Sequence, residues 1–332
     1  MRRTLVGGGL SVALAALLWL AGESTDGTIV LVSGTVLSAL AVFEVGRMGK
    51  LAGQGLTGLL MPAVVALYLL NFMLTRGELQ PTFDLPELVG SLGLCLLVTT
   101  AAFAERSTTP SRAVRIVWIV LIVEVLTLAL LDTPRLYVGW GAALGAVAAW
   151  VALVVYTRSR AKRQSTDTAG LGRALGLTLW IVFPLPALVH VWWNYQVGGL
   201  VALILLSKLG DIAGYYVGNA IGKRHPFPNL SPGKTVAGCV ASLITGTLAG
   251  AACVAAGLLP DFPFGLTGGL VAGAIVNLAA QAGDLLESRV KRRAEVKDSG
   301  TWFGPSGGVL DLVDSLLLGV PAALLFWPLI FA

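Results

Sequence analysis

Charged residues are scarce in this sequence, at 12% of the chain, whereas 56% of the residues are hydrophobic and the mean hydropathy is +0.82. A soluble core of this size cannot hide so much apolar surface, so a soluble globular protein is excluded and apolar residues must face lipid. The apolar runs are continuous rather than alternating, which excludes a transmembrane β-barrel. We therefore predict an all-α fold, a polytopic transmembrane helical bundle.

Histidine and cysteine are also rare, with two and three residues respectively. Cys95, Cys239 and Cys253 lie in apolar runs without CxxC spacing, which argues against a disulfide framework and a zinc site. The net charge of +5 is compatible with nucleic acid, but the basic residues are scattered over short segments rather than gathered in a stripe. We therefore predict no nucleic-acid partner and interpret the basic residues as topology signals.

Apolar windows long enough to cross a bilayer occur along the whole chain. They predict eleven spanning helices, within a range of nine to eleven, near residues 4–22, 28–46, 57–75, 88–104, 115–131, 136–157, 174–192, 196–221, 235–258, 264–286 and 309–330. The first window follows two arginines and resembles a signal peptide. It lacks a convincing cleavage site, however, and we interpret it as a retained helix.

Lysine and arginine residues alternate between the two sides of this predicted bundle. Every other gap between windows holds basic residues, and these gaps contain all of the 23 except Arg76, Arg135 and Lys208. Because cytoplasmic loops carry the excess of Lys and Arg, we predict a cytoplasmic N-terminus and an external C-terminus. The same rule places segments 222–234 and 287–308 together on the cytoplasmic side.

Carboxylates inside or at the ends of apolar helices are costly to bury and are therefore candidates for function. The back part of the chain has two pairs whose members are three residues apart, so each pair is predicted to lie on one helical face. These pairs are Asp284 with Glu287 and Asp311 with Asp314. Their mutual repulsion calls for cations, which favours a metal site at one membrane face. Lys208 and Asp211 either belong to this site or form a structural intramembrane pair.

Two segments between the predicted helices suit phosphate groups. Segment 229–235 reads Asn-Leu-Ser-Pro-Gly-Lys-Thr and combines a hydroxyl, a glycine, a cation and a helix start, where free N–H groups favour anions. It is not a Walker A motif, because the glycine expected five residues before Gly233 is Pro228, and a soluble P-loop ATPase is disfavoured. Segment 287–308 adds several lysines and arginines.

Two long blocks of the sequence stand out. The first is Ser288-Arg-Val-Lys-Arg-Arg-Ala-Glu-Val-Lys-Asp-Ser-Gly300 with Gly307-Gly-Val-Leu-Asp-Leu-Val-Asp-Ser315, and the second is Asp211-Ile-Ala-Gly-Tyr-Tyr-Val-Gly218 with Gly222-Lys223 and Ser231-Pro-Gly-Lys-Thr235. Together they resemble the signature of the phosphatidate cytidylyltransferases, also called CDP-diacylglycerol synthases. The resemblance covers about residues 200–325, in the same order and spacing. It departs at Ser306 and Leu312, where the family usually has His and Arg, and Arg289 or Arg293 would have to replace the missing cation.

This resemblance implies that CTP and phosphatidic acid are joined to give CDP-diacylglycerol and pyrophosphate. It implies Mg²⁺ as cofactor, with room for a second metal or a monovalent cation, and membrane lipids and a homodimer partner. We predict an integral protein of a bacterial inner membrane with a cytoplasmic active site. The predicted metal ligands are Asp211, Asp284, Glu287, Asp311 and Asp314. The predicted catalytic residues are Asp284, Asp311, Asp314, Lys234 and Lys297. The predicted substrate or phosphate contacts are Lys223, Ser231, Thr235, Ser288, Lys291, Arg292 and Asp298.

The motifs divide the chain into a divergent front part, 1–157, a basic cytoplasmic linker, 158–173, and a catalytic back part, 174–332. Three other functions stay open: a transporter, a cytidylyltransferase for another lipid phosphate such as an ether lipid or polyprenyl phosphate, and an inactive lipid-binding descendant. A transporter is expected to spread polar residues near the midplane and over related halves. Here they cluster at one face and in one half.

Overall fold

The computed structural model describes residues 2–52, 54–76, 85–107, 148–157, 168–304 and 307–331, and every regular element in these ranges is helical. This confirms the all-α prediction. The helices are α1 (Arg2–Glu23), α2 (Thr28–Arg47), α3 (Leu56–Arg76), α4 (Leu85–Ser107), α5 (Ala148–Thr157), α6 (Thr168–Leu177), α7 (Leu188–Ile221), α8 (Val236–Ala255), α9 (Gly265–Ala294), α10 (Val309–Val313) and α11 (Leu316–Phe331), with a short 3-10 turn at Gly49–Leu51.

Five described stretches are long and apolar enough to cross a membrane. They are Thr28–Arg47, Leu188–Ile221, Val236–Ala255, Gly265–Ala294 and Val309–Phe331. Shorter apolar helices accompany them in the described ranges, so the chain is a polytopic integral membrane protein, as predicted. The predicted helix at 115–131, and the predicted helix at 136–157 up to residue 147, lie outside the described residues.

The chain between α6 and α7 differs from the prediction. The predicted helix at 174–192 is interrupted, because a π-helical turn at Thr178–Val182 is followed by turns until α7 begins at Leu188. Pro184 and Pro186 account for this break, since proline lacks a backbone donor and restricts the residue before it. The predicted gap after residue 192 is instead a kink inside α7 at Gln196, where φ is 52°.

Helix α9 is longer than the predicted 264–286 and ends at Ala294, where Glu295 adopts a left-handed conformation with φ 59°. Its last turn is basic, which is favourable at a helix C-terminus. The residues concerned are Lys291, Arg292 and Arg293. The 30 residues of α9 measure about 45 Å at about 1.5 Å per residue, against about 30 Å of hydrocarbon, so one end projects from the membrane. The predicted segment 287–308 therefore begins as helix.

Packing divides the described residues into two compact units. The first contains those within 1–30, 47–52 and 187–332, and the second contains those within 31–46 and 53–186. In the second unit α3 packs on α4 and α4 packs on α6. There the buried hydroxyls of Thr99 and Thr178 lie 2.9 Å apart. The predicted division at 158–173 rests on motifs and stays a prediction.

In the first unit, glycines allow helices α8 and α9 to approach closely. A Cβ added at Gly250 would lie 2.0 Å from the carbonyl oxygen of Gly269, and one at Gly273 would lie 2.4 Å from that of Gly246. Such small-residue contacts are typical of helix packing in membranes. Helix α9 also packs against α7 and α11, so it contacts three other helices of this unit.

Candidate active site

Three carboxylates meet where α9 faces the junction of α10 and α11. One side-chain oxygen from each of Asp284, Glu287 and Asp314 lies within 4.8 Å of the other two. Gly283 permits this approach, because a Cβ there would lie 2.5 Å from the carbonyl oxygen of Asp314. We call Asp284, Glu287 and Asp314 the three-carboxylate group. Carboxylate oxygens are the donors that hard divalent cations such as Mg²⁺ and Ca²⁺ prefer.

Glu287 is the most buried member of the three-carboxylate group, with 1% of its side chain exposed. Its Oε2 accepts from Lys291 Nζ at 2.6 Å, but its Oε1 has no hydrogen-bond partner among the described residues. A buried carboxylate oxygen without a partner is costly. Because that oxygen belongs to a group of three clustered carboxylates, the donor set fits a divalent cation.

Each carboxylate of the group is paired with a lysine. The N–O distances are 2.7 Å for Lys234 with Asp284, 2.6 Å for Lys291 with Glu287 and 3.3 Å for Lys208 with Asp314. The three lysines come from the segment before α8, from α9 and from α7. Their charges reduce the repulsion among the carboxylates, and they make a mixed site that suits phosphate groups as well as a metal.

Asp311, a predicted metal ligand, lies outside the three-carboxylate group. Its Oδ1 accepts from Lys291 Nζ at 2.7 Å, while its Oδ2 accepts from Ser299 N, Ser299 Oγ and Gly308 N at 2.8, 2.7 and 2.7 Å. The bond from Gly308 belongs to the N-terminal cap of α10. Asp311 therefore organises the segment between α9 and α10, and its role as a ligand stays a prediction.

Asp211, the other predicted ligand outside the group, lies in α7 three residues after Lys208. The charges of Lys208, Asp314 and Asp284 act on its carboxylate, so it belongs to the same electrostatic environment. A metal-binding role for Asp211 stays a prediction.

The segment between α7 and α8 carries several predicted phosphate contacts. Lys234 reaches Asp284 and donates to the carbonyl oxygen of Gln281 at 3.4 Å. Thr235 caps α8, because its hydroxyl oxygen accepts from the backbone N–H of Gly238 at 3.1 Å. Ser231 is partly buried and its carbonyl oxygen accepts from Lys234 N, whereas Lys223 is exposed. The structure thus brings Lys234 to the carboxylates and gives Thr235 a structural bond.

The predicted contacts near the end of α9 have different environments. Ser288 is 8% exposed, next to Glu287. Arg292 is exposed and donates to the carbonyl oxygen of Val296 at 3.4 Å. Lys297 and Asp298 are exposed in the segment after α9. Among these predicted contacts, Lys291 alone is paired with the three-carboxylate group in the described part of the chain.

Two site neighbours were absent from the predicted site. Lys208, left open as a structural pair with Asp211, lies beside Asp314, and a charge inside an apolar helix was the available signal. Ser299, which binds Asp311 through both N–H and hydroxyl, gave no such signal. Two positions depart from the signature that the sequence resembles. Ser306 lies outside the described residues, and Leu312 is partly buried.

The basic residues expected to replace the cation missing at Leu312 are on the surface. Arg289 and Arg293 are both exposed on α9. Lys208, by contrast, places its ammonium group 3.3 Å from Asp314, which follows Leu312 by two positions. Lys291 contacts Asp311, the residue before Leu312, at 2.7 Å. The structure therefore offers Lys208 and Lys291 as cations in this region.

Comparison with known proteins gives consistent matches. The sequence model of the cytidylyltransferase family matches residues 1–330. The uncharacterized protein YnbB of Escherichia coli is 33% identical over 170 residues, which cover 48% of this chain and 56% of that protein. The phosphatidate cytidylyltransferase of Chlamydia muridarum is 32% identical over 187 residues, 52% of this chain and 59% of that protein. That of Pseudomonas aeruginosa is 34% identical over 208 residues, 62% and 75% respectively. The chain thus spans little more than half the length of the first two relatives.

Proposed function

Because this chain belongs to the cytidylyltransferase family, we propose that it is a phosphatidate cytidylyltransferase, which joins CTP and phosphatidic acid to give CDP-diacylglycerol and pyrophosphate. The observation that carries this proposal is the three-carboxylate group with its three paired lysines in a membrane-spanning unit. A reaction between two polyanions needs such a combination of ligands for a metal and fixed positive charges.

The proposed reaction does not need a strong general base. A phosphate oxygen of phosphatidic acid attacks the α-phosphorus of CTP, and the bond from that phosphorus to the bridging oxygen of the β-phosphate breaks. The bridging oxygen keeps the bonding electrons and leaves with pyrophosphate. The nucleophile is already anionic near neutral pH, since the second pKa of a phosphate monoester is about 6. The scarcity of histidine is therefore compatible with this reaction.

We assign the metal site to Asp284, Glu287 and Asp314, with Mg²⁺ as the cation. Bound there, Mg²⁺ would neutralise phosphate charge as the two substrates meet and as pyrophosphate leaves. Lys291 holds the buried Glu287 in place, because its Nζ lies 2.6 Å from Oε2. Lys234 is paired with Asp284 at 2.7 Å and is 19% exposed. It lies in the segment between α7 and α8, from which it would contact a nucleotide phosphate.

We also propose that this site faces the cytoplasm, in a bacterial inner membrane. Support comes from the basic residues around it, which include the last turn of α9 and the segment between α7 and α8. CTP would then arrive from the side where nucleotides are made. The homodimer implied by the resemblance stays a prediction.

The test is a direct assay of the full chain, purified in detergent, with labelled CTP, phosphatidic acid and Mg²⁺. Equal amounts of CDP-diacylglycerol and pyrophosphate are expected, with no product when diacylglycerol replaces phosphatidic acid. Asp314→Asn is expected to lower turnover by about 100-fold or more while the protein elutes and melts like the wild type. A folded protein that makes no product would contradict the proposal, and product from a polyprenyl phosphate alone would favour the other lipid substrate.

A further inference from the structure

Lys208 differs from the other two lysines of the site in how much of its ammonium group is engaged. Its Nζ lies 3.3 Å from Asp314 Oδ1, and 36% of its side chain is exposed. Lys291, 13% exposed, contacts both Glu287 and Asp311 at 2.6 and 2.7 Å, and Lys234, 19% exposed, contacts Asp284 at 2.7 Å. Because an ammonium group has three donors, Lys208 keeps the most capacity for an additional anion.

The register of α7 against α8 shows from which side Lys208 reaches the site. Gly218 of α7 faces Thr235, which caps α8, whereas a Cβ at Gly210 would lie 2.7 Å from Ser242 Oγ. Ser242 follows Thr235 by seven residues, so it lies about 10 Å along the axis of α8 from the helix start. Lys208 lies two residues beyond Gly210 in the same direction, while Lys234 precedes α8 altogether. Lys208 therefore approaches the carboxylates from within the membrane.

The length of the lysine side chain connects this depth to the site. A lysine whose backbone lies in hydrocarbon extends its alkyl chain towards the polar region, so that the ammonium group escapes the apolar surroundings. In this chain the extension ends at Asp314, a member of the three-carboxylate group. The ammonium group therefore reaches the site from the bilayer interior, which is the side from which a lipid headgroup would arrive while its acyl chains stay in the bilayer.

We infer that Lys208 binds the phosphate of the lipid substrate at the bilayer side of the three-carboxylate group. The identity of that lipid as phosphatidic acid rests on the proposed function, but the contact itself requires only a phosphomonoester carried by a lipid. Lys234, in the segment between α7 and α8, would contact the nucleotide. The competing explanation is that Lys208 only neutralises Asp314, and the two explanations predict different kinetics.

The first experiment measures KM for phosphatidic acid in mixed micelles at saturating CTP, and KM for CTP at saturating phosphatidic acid. Lys208→Met is expected to raise the lipid KM about tenfold or more and to leave the CTP KM within about twofold, since one charge-assisted contact is lost. Lys208→Arg is expected to restore most of the affinity, because it keeps the charge. Lys50→Met, at an exposed lysine paired with Glu295, is the matched control and is expected to leave both constants unchanged.

Two kinetic outcomes would overturn the inference. One is a rise in the CTP KM with an unchanged lipid KM, which would assign Lys208 to the nucleotide. The other is a fall in kcat and in melting temperature with both KM values unchanged, which is what a purely structural pair with Asp314 predicts. If Lys208→Met does not fold, Lys208→Gln takes its place, because it keeps a polar group near Asp314 without the charge.

A second measurement separates this inference from the proposed function. Binding of fluorescent phosphatidic acid and of phosphatidylcholine with the same acyl chains is measured without CTP. The wild type is expected to prefer phosphatidic acid, and Lys208→Met is expected to lose that preference. If the wild type makes no product, yet prefers phosphatidic acid and Lys208→Met loses that preference, the proposed function fails while the contact stands. If the wild type turns over but Lys208→Met keeps the preference, the inference fails alone.

Discussion

Lys291 and Glu287 lie one helical turn apart in α9 and form an ion pair with an N–O distance of 2.6 Å, in which Glu287 is 1% exposed. The same ammonium group contacts Asp311 at 2.7 Å, so Lys291 connects the three-carboxylate group to α10. A buried carboxyl group held in this way depends on its partner, because its oxygens have no access to water.

Lys291→Met is therefore expected to destabilise the protein by about 3–5 kcal/mol, as expected when one partner of a buried pair is removed. The measurement is the melting temperature of the detergent-purified variant, together with its turnover. Arg293→Met, an exposed neighbour in the same turn of α9, serves as the stability control and is expected to melt like the wild type. Equal melting temperatures for the two variants would contradict the buried role of Lys291.

Divalent cations are expected to stabilise the folded protein. At Mg²⁺ concentrations about 100 times the dissociation constant, linkage predicts about 2.7 kcal/mol of added stability relative to a sample in EDTA. Asp284→Asn and Asp314→Asn are each expected to remove most of that gain, because each removes a charged ligand. Asp261→Asn, at an exposed carboxylate between α8 and α9, is expected to keep it. A full Mg²⁺ response in both site variants would exclude the three-carboxylate group as the metal site.

Loss of the hydroxyl at Thr235 is expected to weaken the start of α8. Thr235→Ala should cost about 1 kcal/mol, because the N–H of Gly238 loses the oxygen that caps it. Thr235→Ser keeps the oxygen and is expected to remain within about 0.5 kcal/mol of the wild type. Thermal melts of both variants give the comparison, and an Ala variant as stable as the Ser variant would rule out the capping role.

Close packing of α8 on α9 is tested at Gly250. Gly250→Ala would place its Cβ 2.0 Å from the carbonyl oxygen of Gly269, so the helices must separate, at a cost of about 1–3 kcal/mol. Gly176→Ala is the matched control in α6, where a Cβ meets nothing within 4 Å. Its melting temperature is expected to equal or exceed that of the wild type. Similar effects of the two changes would show that the interface tolerates a methyl group.

Composition and the continuous apolar runs were enough to predict the membrane-spanning helical fold, because the first excludes a soluble core and the second excludes a barrel. Hydropathy windows did not reveal the break between α6 and α7, since Pro184 and Pro186 are apolar and act through the backbone. They also ended α9 too early at residue 286. The basic turn that follows is polar, but it is compatible with a helix that leaves the membrane.

Spacing in the sequence predicted part of the site geometry. Asp284 and Glu287 share a face of α9, as expected. The four-residue spacing of Glu287 and Lys291 also favours an ion pair, which was not predicted. The pair Asp311 and Asp314 is divided, because α10 ends at Val313 and the two carboxylates have different partners. The pairing of Lys234 with Asp284 depends on the packing of α8 and α9, which local spacing does not encode.

The length of α9 has a consequence for how the two substrates of the proposed reaction meet. The stretch from Gly265 to Asp284 is about 30 Å long, which equals the hydrocarbon thickness, so a helix that enters the hydrocarbon at Gly265 brings Asp284 to the boundary between acyl chains and headgroups. A lipid can present its headgroup there without being extracted from the leaflet. We therefore expect the reaction rate to follow the mole fraction of lipid within the micelle surface rather than its concentration in the bulk solution.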